Sequence, residues 1–147
     1  MKSRTEKLGS LVILFVGIHS ICLGLVIYFF TDFFYQQFFS APVENIFFVR
    51  QSGVFLFLAG LFYLYPLKDL KSLYNLILLV IFSKATAVYF LVANAPFTLA
   101  PQMIYLAAFF DALMGCALIL VYFNCRKNFS RAKADLLSER QYATTDK

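Results

Sequence analysis

Between Leu8 and Phe30 the chain runs 23 residues without a formal charge. As a helix rising about 1.5 Å per residue, that stretch exceeds a bilayer's hydrocarbon core of about 30 Å. A segment of this kind has few stable homes outside a membrane. Composition extends the argument to the whole chain: 61% of the 147 residues are hydrophobic and 14% charged, where a soluble domain carries about 25% charged. A disordered protein is excluded. Nineteen phenylalanines and nine tyrosines, with no tryptophan, give aromatic surface to bury or to place in lipid. The length implies one domain, residues 1–147.

A second span is read over 43–65, with Ser40-Ala41-Pro42 as its start and Pro66 as its stop. The longest later charge-free run, Ala85 to Phe110, invites reading as one helix. Asn94-Ala95-Pro96 and Pro101 put turn chemistry in its middle, and one helix there leaves its flanks too short to span. Spans are therefore expected at about 73–92 and 103–123, followed by a basic tail, 124–147.

The positive charges test this count, because Lys and Arg favour cytoplasmic loops. Eleven of the thirteen basic residues lie before span one, between spans two and three, or after span four. The other two connections hold none. The expectation is an all-α integral membrane four-helix bundle with both termini cytoplasmic. The run is too long for a signal peptide's apolar region, so it should remain uncleaved. Gly17 and Gly24 share a seven-residue spacing with Gly53 and Gly60, a pattern that lets helix backbones approach closely.

The two basic residues outside the loops are Arg50 and Lys84, and Asp111 is an acid inside span four. An unpaired charge at mid-membrane costs about 2.5 to 3.5 kcal/mol on insertion scales. These residues need partners. Lys84 and Asp111 lie at matching depths, roughly 13 to 15 Å from the outer ends of antiparallel helices, and His19 falls at a similar level. Arg50, one or two turns into span two, is expected to reach the same interior. Gln51, Ser52, Ser83, Thr86 and Ser20 can add hydrogen bonds. The candidate ligand-binding residues are thus His19, Arg50, Gln51, Lys84 and Asp111.

Arg50 and Lys84 against Asp111 leave one excess positive charge. Either a ligand or lipid anion supplies the balance, or burial keeps Lys84 partly neutral. Three readings stay open: a pocket for a small anionic or amphipathic ligand, or an accessory subunit of a partner membrane protein or homo-oligomer; a membrane enzyme doing acid-base chemistry on a sterol, quinone or polyprenyl compound; and charges that only hold helices together. Transport is disfavoured, since a single four-helix chain is small for alternating access. No catalytic motif is present and no cofactor is implied. One histidine without Cys/His spacing makes no metal site. Topology accounts for the net charge of +5, so nucleic acid is not an expected partner; the bilayer is.

The connection from Phe29 to Phe39 is too aromatic for a free loop and is expected to lie in the interface, with Phe34 and Phe38 one turn apart. The tail is expected over anionic headgroups, with Phe129, Ala132, Leu136 and Leu137 on one apolar face. Cys125, beside Arg126 and Lys127, has a juxtamembrane setting compatible with lipidation. No disulfide is implied.

The stretch Val49-Arg50-Gln51-Ser52-Gly53, with Gly60, Tyr63, Lys84-Ala85 and Phe110-Asp111, resembles small bacterial four-helix membrane proteins of DoxX-like general form. The resemblance covers about Leu8 to Phe123 through short motifs. It implies a four-helix bundle in a bacterial inner membrane. DoxX-like proteins are accessory membrane components linked to redox or thiol chemistry, sometimes with quinone, and sterol-isomerase-like four-helix pockets have a comparable layout. The Arg50-Gln51 pair departs from the DoxX pattern, so the redox role is not carried over.

Overall fold

The computed structural model describes the backbone of residues 4–145 except Ala41, Glu44 and 71–73, and side chains within 6–127 outside the same gaps. The described residues form helices and turns, without strands. The helices are α1 (Arg4–Phe29), α2 (Thr31–Phe39), α3 (Ile46–Leu64), α4 (Tyr74–Asn94) and α5 (Pro101–Thr145). Four stretches are long and apolar enough to cross a membrane: Glu6–Phe29, Ile46–Leu67, Tyr74–Phe97 and Pro101–Lys127.

Local chemistry sets the boundaries. Thr31 closes α1 by donating its hydroxyl to the Ile27 carbonyl at 2.8 Å, satisfying an acceptor that the helix end leaves open. The short α2 follows at once, and the Phe34 and Phe38 rings stack on it at 4.5 Å. It stops at Ser40, whose φ of 53° is left-handed and whose N–H bonds the Gln36 carbonyl. The second span, read over 43–65 with a start as early as Pro42 allowed, begins as a helix at Ile46. α3 starts at Ile46, where Asn45 Oδ1 accepts the Phe47 N–H at 3.1 Å, a side-chain N-cap. Pro66 turns the other end of α3 into a 3₁₀ turn, Tyr65–Leu67. The long apolar run breaks where its turn residues stand, at a 3₁₀ turn over Ala95–Phe97, and Pro101 opens α5 at the position where its missing N–H costs nothing. α5 continues without interruption past Lys127 into the basic tail. The apolar face expected of Phe129, Ala132, Leu136 and Leu137 lies outside the described side chains.

Packing divides the bundle into two pairs. α1 packs most extensively on α3, and α4 on α5; α1 and α5 join the pairs. The α1–α3 seam is made by the spaced glycines. A Cβ on Gly24 would come within 2.6 Å of the Gly53 carbonyl, and one on Gly60 within 2.8 Å of the Gly17 carbonyl. Only hydrogen fits there. In the α4–α5 pair, Ile77 and Leu118 are fully buried and the Tyr74 and Tyr122 rings meet at 5.8 Å. Large side chains such as Phe15, Phe62, Phe82 and Leu120 point outward. Such an exterior suits lipid rather than water.

Candidate functional site: a buried ion pair with histidine

Lys84 sits on the inner face of α4 with Ile77 and Val80, all three buried. Asp111 sits on α5 between Ala108 and Met114, which are buried too. The ammonium and the carboxylate meet directly: Lys84 Nζ donates to Asp111 Oδ1 at 2.5 Å. Lys84 is 4% exposed and the Asp111 side chain 16%. Gly115, one turn from Asp111, faces the lysine stem: a Cβ built on it would stand 3.8 Å from Lys84 Cβ, an ordinary contact. The pairing joins the two helices at the level matched by counting along each, and it satisfies both charges within the chain.

The third member comes from the other helix pair. Gly9 of α1 faces Val121 of α5; ten residues further along α1 lies His19, and ten residues back along α5 lies Asp111. Equal steps keep antiparallel helices level. His19 lies within electrostatic reach of both Lys84 and Asp111. Its Nδ1 is buried without a hydrogen-bond partner among the described residues, and so is the hydroxyl of Ser20, which is fully buried. Buried polar atoms in folded proteins are overwhelmingly paired. Of the three such atoms on α1 among the described residues, the Ser10 hydroxyl lies nine residues from His19, and the two at the level of the ion pair are unmet donor or acceptor positions.

Arg50 lies elsewhere. Its side chain is exposed, its Nε donates to Thr31 Oγ1 at 3.4 Å, and its guanidinium carbon stands 6.0 Å from the Tyr28 ring centroid. Tyr28 is roughly nine residues from His19 along α1, or about 13 Å of helix rise. The late start of α3 puts Arg50 only one turn from the helix end. Gln51 is half-buried on α3, and none of the described hydrogen bonds joins it to Lys84 or Asp111. The excess positive charge expected in the interior is therefore absent there: the buried Lys84 cation and the partly buried Asp111 anion cancel.

Tyr63, singled out in the sequence only among the residues of a resemblance, has a structural partner that the sequence did not reveal. Its ring is buried, and its hydroxyl shares a hydrogen bond with Ser83, the neighbour of Lys84. This ties α3 to α4, which lack extensive backbone packing. The available signal was a tyrosine in an otherwise apolar span, since a buried phenol usually finds a partner.

A cleft of about 260 Å³ between α1 and α5 is lined by Gly9, Val12, Ala117, Val121 and Cys125, among others. Its lining is largely apolar, with Glu6 and Asn124 among it, and begins six residues beyond Asp111 along α5, toward the end of the bundle where Gly9 faces Val121. Cys22, Cys116 and Cys125 are free. No group of three or more His, Cys, Asp or Glu side chains converges among the described residues.

Comparison with known proteins finds no family model, no curated protein and no solved structure that matches this chain. What the site does must be argued from its own groups. A neutralised ion pair beside an imidazole and a hydroxyl offers donors and acceptors in a setting of low dielectric, where each hydrogen bond is stronger than in water. Such a setting holds a carbonyl or hydroxyl group well.

Proposed function

We propose that this chain is a non-channel integral membrane protein, with both termini cytoplasmic in a bacterial inner membrane, whose interior polar site binds the headgroup of a small amphipathic ligand. The site is Lys84 and Asp111 with His19 and Ser20. The ligand carries a carbonyl or hydroxyl for these groups and an apolar body suited to the surrounding Ile, Val and Met side chains. The observation that carries this reading is the pair of unpartnered buried atoms, His19 Nδ1 and Ser20 Oγ, at the level of a completed ion pair. The orientation is supported by the eleven basic residues confined to one set of loops and termini.

The test is unbiased mass spectrometry of lipids that co-purify with the protein extracted in native membrane discs. Wild type is expected to retain a specific amphiphile, and His19→Leu and Ser20→Ala to lose it while keeping their helical content. An identical lipid complement in wild type and both variants would count decisively against the proposal.

The directness of the Lys84 to Asp111 bond favours a second reading, in which the pair is a strut between α4 and α5. In that case the paired neutral replacement Lys84→Met with Asp111→Leu leaves both fold and lipid complement intact.

A further inference from the structure

Arg50 is the charge that the interior site does not use. A guanidinium remains ionised at every accessible pH and carries five N–H donors in a fixed fork. Only the Nε donor is engaged, by Thr31. Among the described residues Arg50 makes no ion pair, and the exposed carboxylate of Asp32, next to Thr31, is not bonded to it.

The side chain is nevertheless held. Thr31 is 2% exposed, and its hydroxyl proton is committed to the Ile27 carbonyl, so its oxygen faces Arg50 as an acceptor. The Tyr28 ring lies under the guanidinium at cation–π distance. Three helices thus converge on one cation: Tyr28 from α1, Thr31 from the start of α2, and Arg50 from α3. The terminal nitrogens keep four N–H donors that no described hydrogen bond engages. They stand at the end of the bundle where α2 places its aromatic rings and where Phe47 and Phe48 are exposed. In a bilayer that is the boundary between hydrocarbon and headgroups, the level at which phosphate lies.

We infer that Arg50, fixed by Thr31 and Tyr28, is a phosphate-binding site at the α2 end of the bundle, separate from the interior site. A planar fork matches two oxygens of a phosphate, which a point-charge ammonium cannot do. Prior fixing by Thr31 and Tyr28 reduces the rotamer freedom lost on binding. The phosphate belongs either to a phospholipid headgroup in the adjoining leaflet or to a soluble phosphomonoester. The chemistry is the same for both.

Native mass spectrometry of the full chain, reconstituted with a phospholipid and with a diacylglycerol of the same acyl chains, measures retention of each lipid. Wild type is expected to retain the phospholipid over the diacylglycerol, and Arg50→Gln to lower phospholipid retention about tenfold, the scale of hydrogen bonds to a charged group. Arg50→Lys, which keeps charge and loses the fork, should fall between them. Asp32→Asn, which removes a like-signed neighbour of the phosphate and touches no packing contact of the guanidinium, should raise retention. Helical content and thermal midpoint in detergent establish that each variant is folded. Should Arg50→Gln fail that control, Thr31→Val and Asp32→Asn supply the test, with lower and higher retention respectively. Addition of glycerol 3-phosphate distinguishes the sources: displacement of the lipid identifies the free phosphomonoester as sufficient, and retention identifies the membrane-borne headgroup. Equal retention of phospholipid and diacylglycerol by wild type, or unchanged phospholipid retention in folded variants, overturns the inference. Neither result bears on His19 and Ser20, which are read by their own variants.

Discussion

A buried lysine paired with a partly buried aspartate at mid-bundle poses an energetic question. Each alone costs several kcal/mol to remove from water, and their attraction offsets this only with good geometry. The direct bond between Lys84 and Asp111 provides that geometry. Removing one partner strands the other. Asp111→Asn is therefore expected to destabilise the protein by about 3 to 5 kcal/mol, read as a large fall in the thermal midpoint in detergent. The neutral pair Lys84→Met with Asp111→Leu should recover most of that loss, and a double-mutant cycle gives the coupling. The meeting of these two residues was legible in the sequence, because helix rise converts residue counts into depth. Arg50 was legible as an anomaly and misplaced as to partner. Its depth was counted from Pro42, and the caps on Ser40 and Asn45 move the start of α3 to Ile46, more than one turn later. The orphaned atoms of His19 and Ser20 were out of reach, since the absence of a partner depends on every neighbouring helix at once.

At the level of helices, small residues decide which elements touch. The seven-residue glycine spacing on α1 and α3 was visible in the sequence, and the close approach it permits is realised: Gly24 meets Gly53 and Gly17 meets Gly60. A valine at Gly24 has no room, because backbone atoms of α3 surround the position. Gly24→Val should cost about 1 to 3 kcal/mol, the usual range for overpacking, measured by thermal unfolding in detergent. Gly115→Ala should be nearly neutral by the same assay, since its added Cβ finds an ordinary contact with Lys84 at 3.8 Å. The break between α4 and α5 was equally legible, because Pro96 and Pro101 remove donors that a continuous helix requires. The pairing of helices was not. Local propensity fixes where a helix starts and stops, and the choice of α1 with α3 rather than α4 is made by side-chain fit across the bundle.

For the whole molecule, the outward-facing phenylalanines and leucines make sense only beside lipid or another apolar surface. The distribution of basic residues gives the expected orientation. A cysteine-free background carrying Thr98→Cys or Gln36→Cys should react with a membrane-impermeant maleimide on intact cells, and one carrying Asn128→Cys only after permeabilisation. Labelling of Asn128→Cys from outside, with Thr98→Cys and Gln36→Cys protected until permeabilisation, would reverse the expected orientation. Four helices long and apolar enough to cross a membrane, and the break between the last two, followed from composition, charge placement and turn residues. The split into two tightly knit pairs did not, because it arises from contacts between segments distant in sequence.

That split gives the molecule the form of a book with two covers. One cover is α1 with α3, closed along its glycines; the other is α4 with α5, closed by an ion pair and a tilted tyrosine pair. The spine runs along α1 and α5, and the Tyr63–Ser83 hydrogen bond works as a clasp on the opposite edge. The imidazole belongs to the first cover and its charged neighbours to the second. A few degrees of opening therefore alter the distance between His19 and the ion pair while leaving each cover intact, so the geometry of the polar site reports how far the book is open.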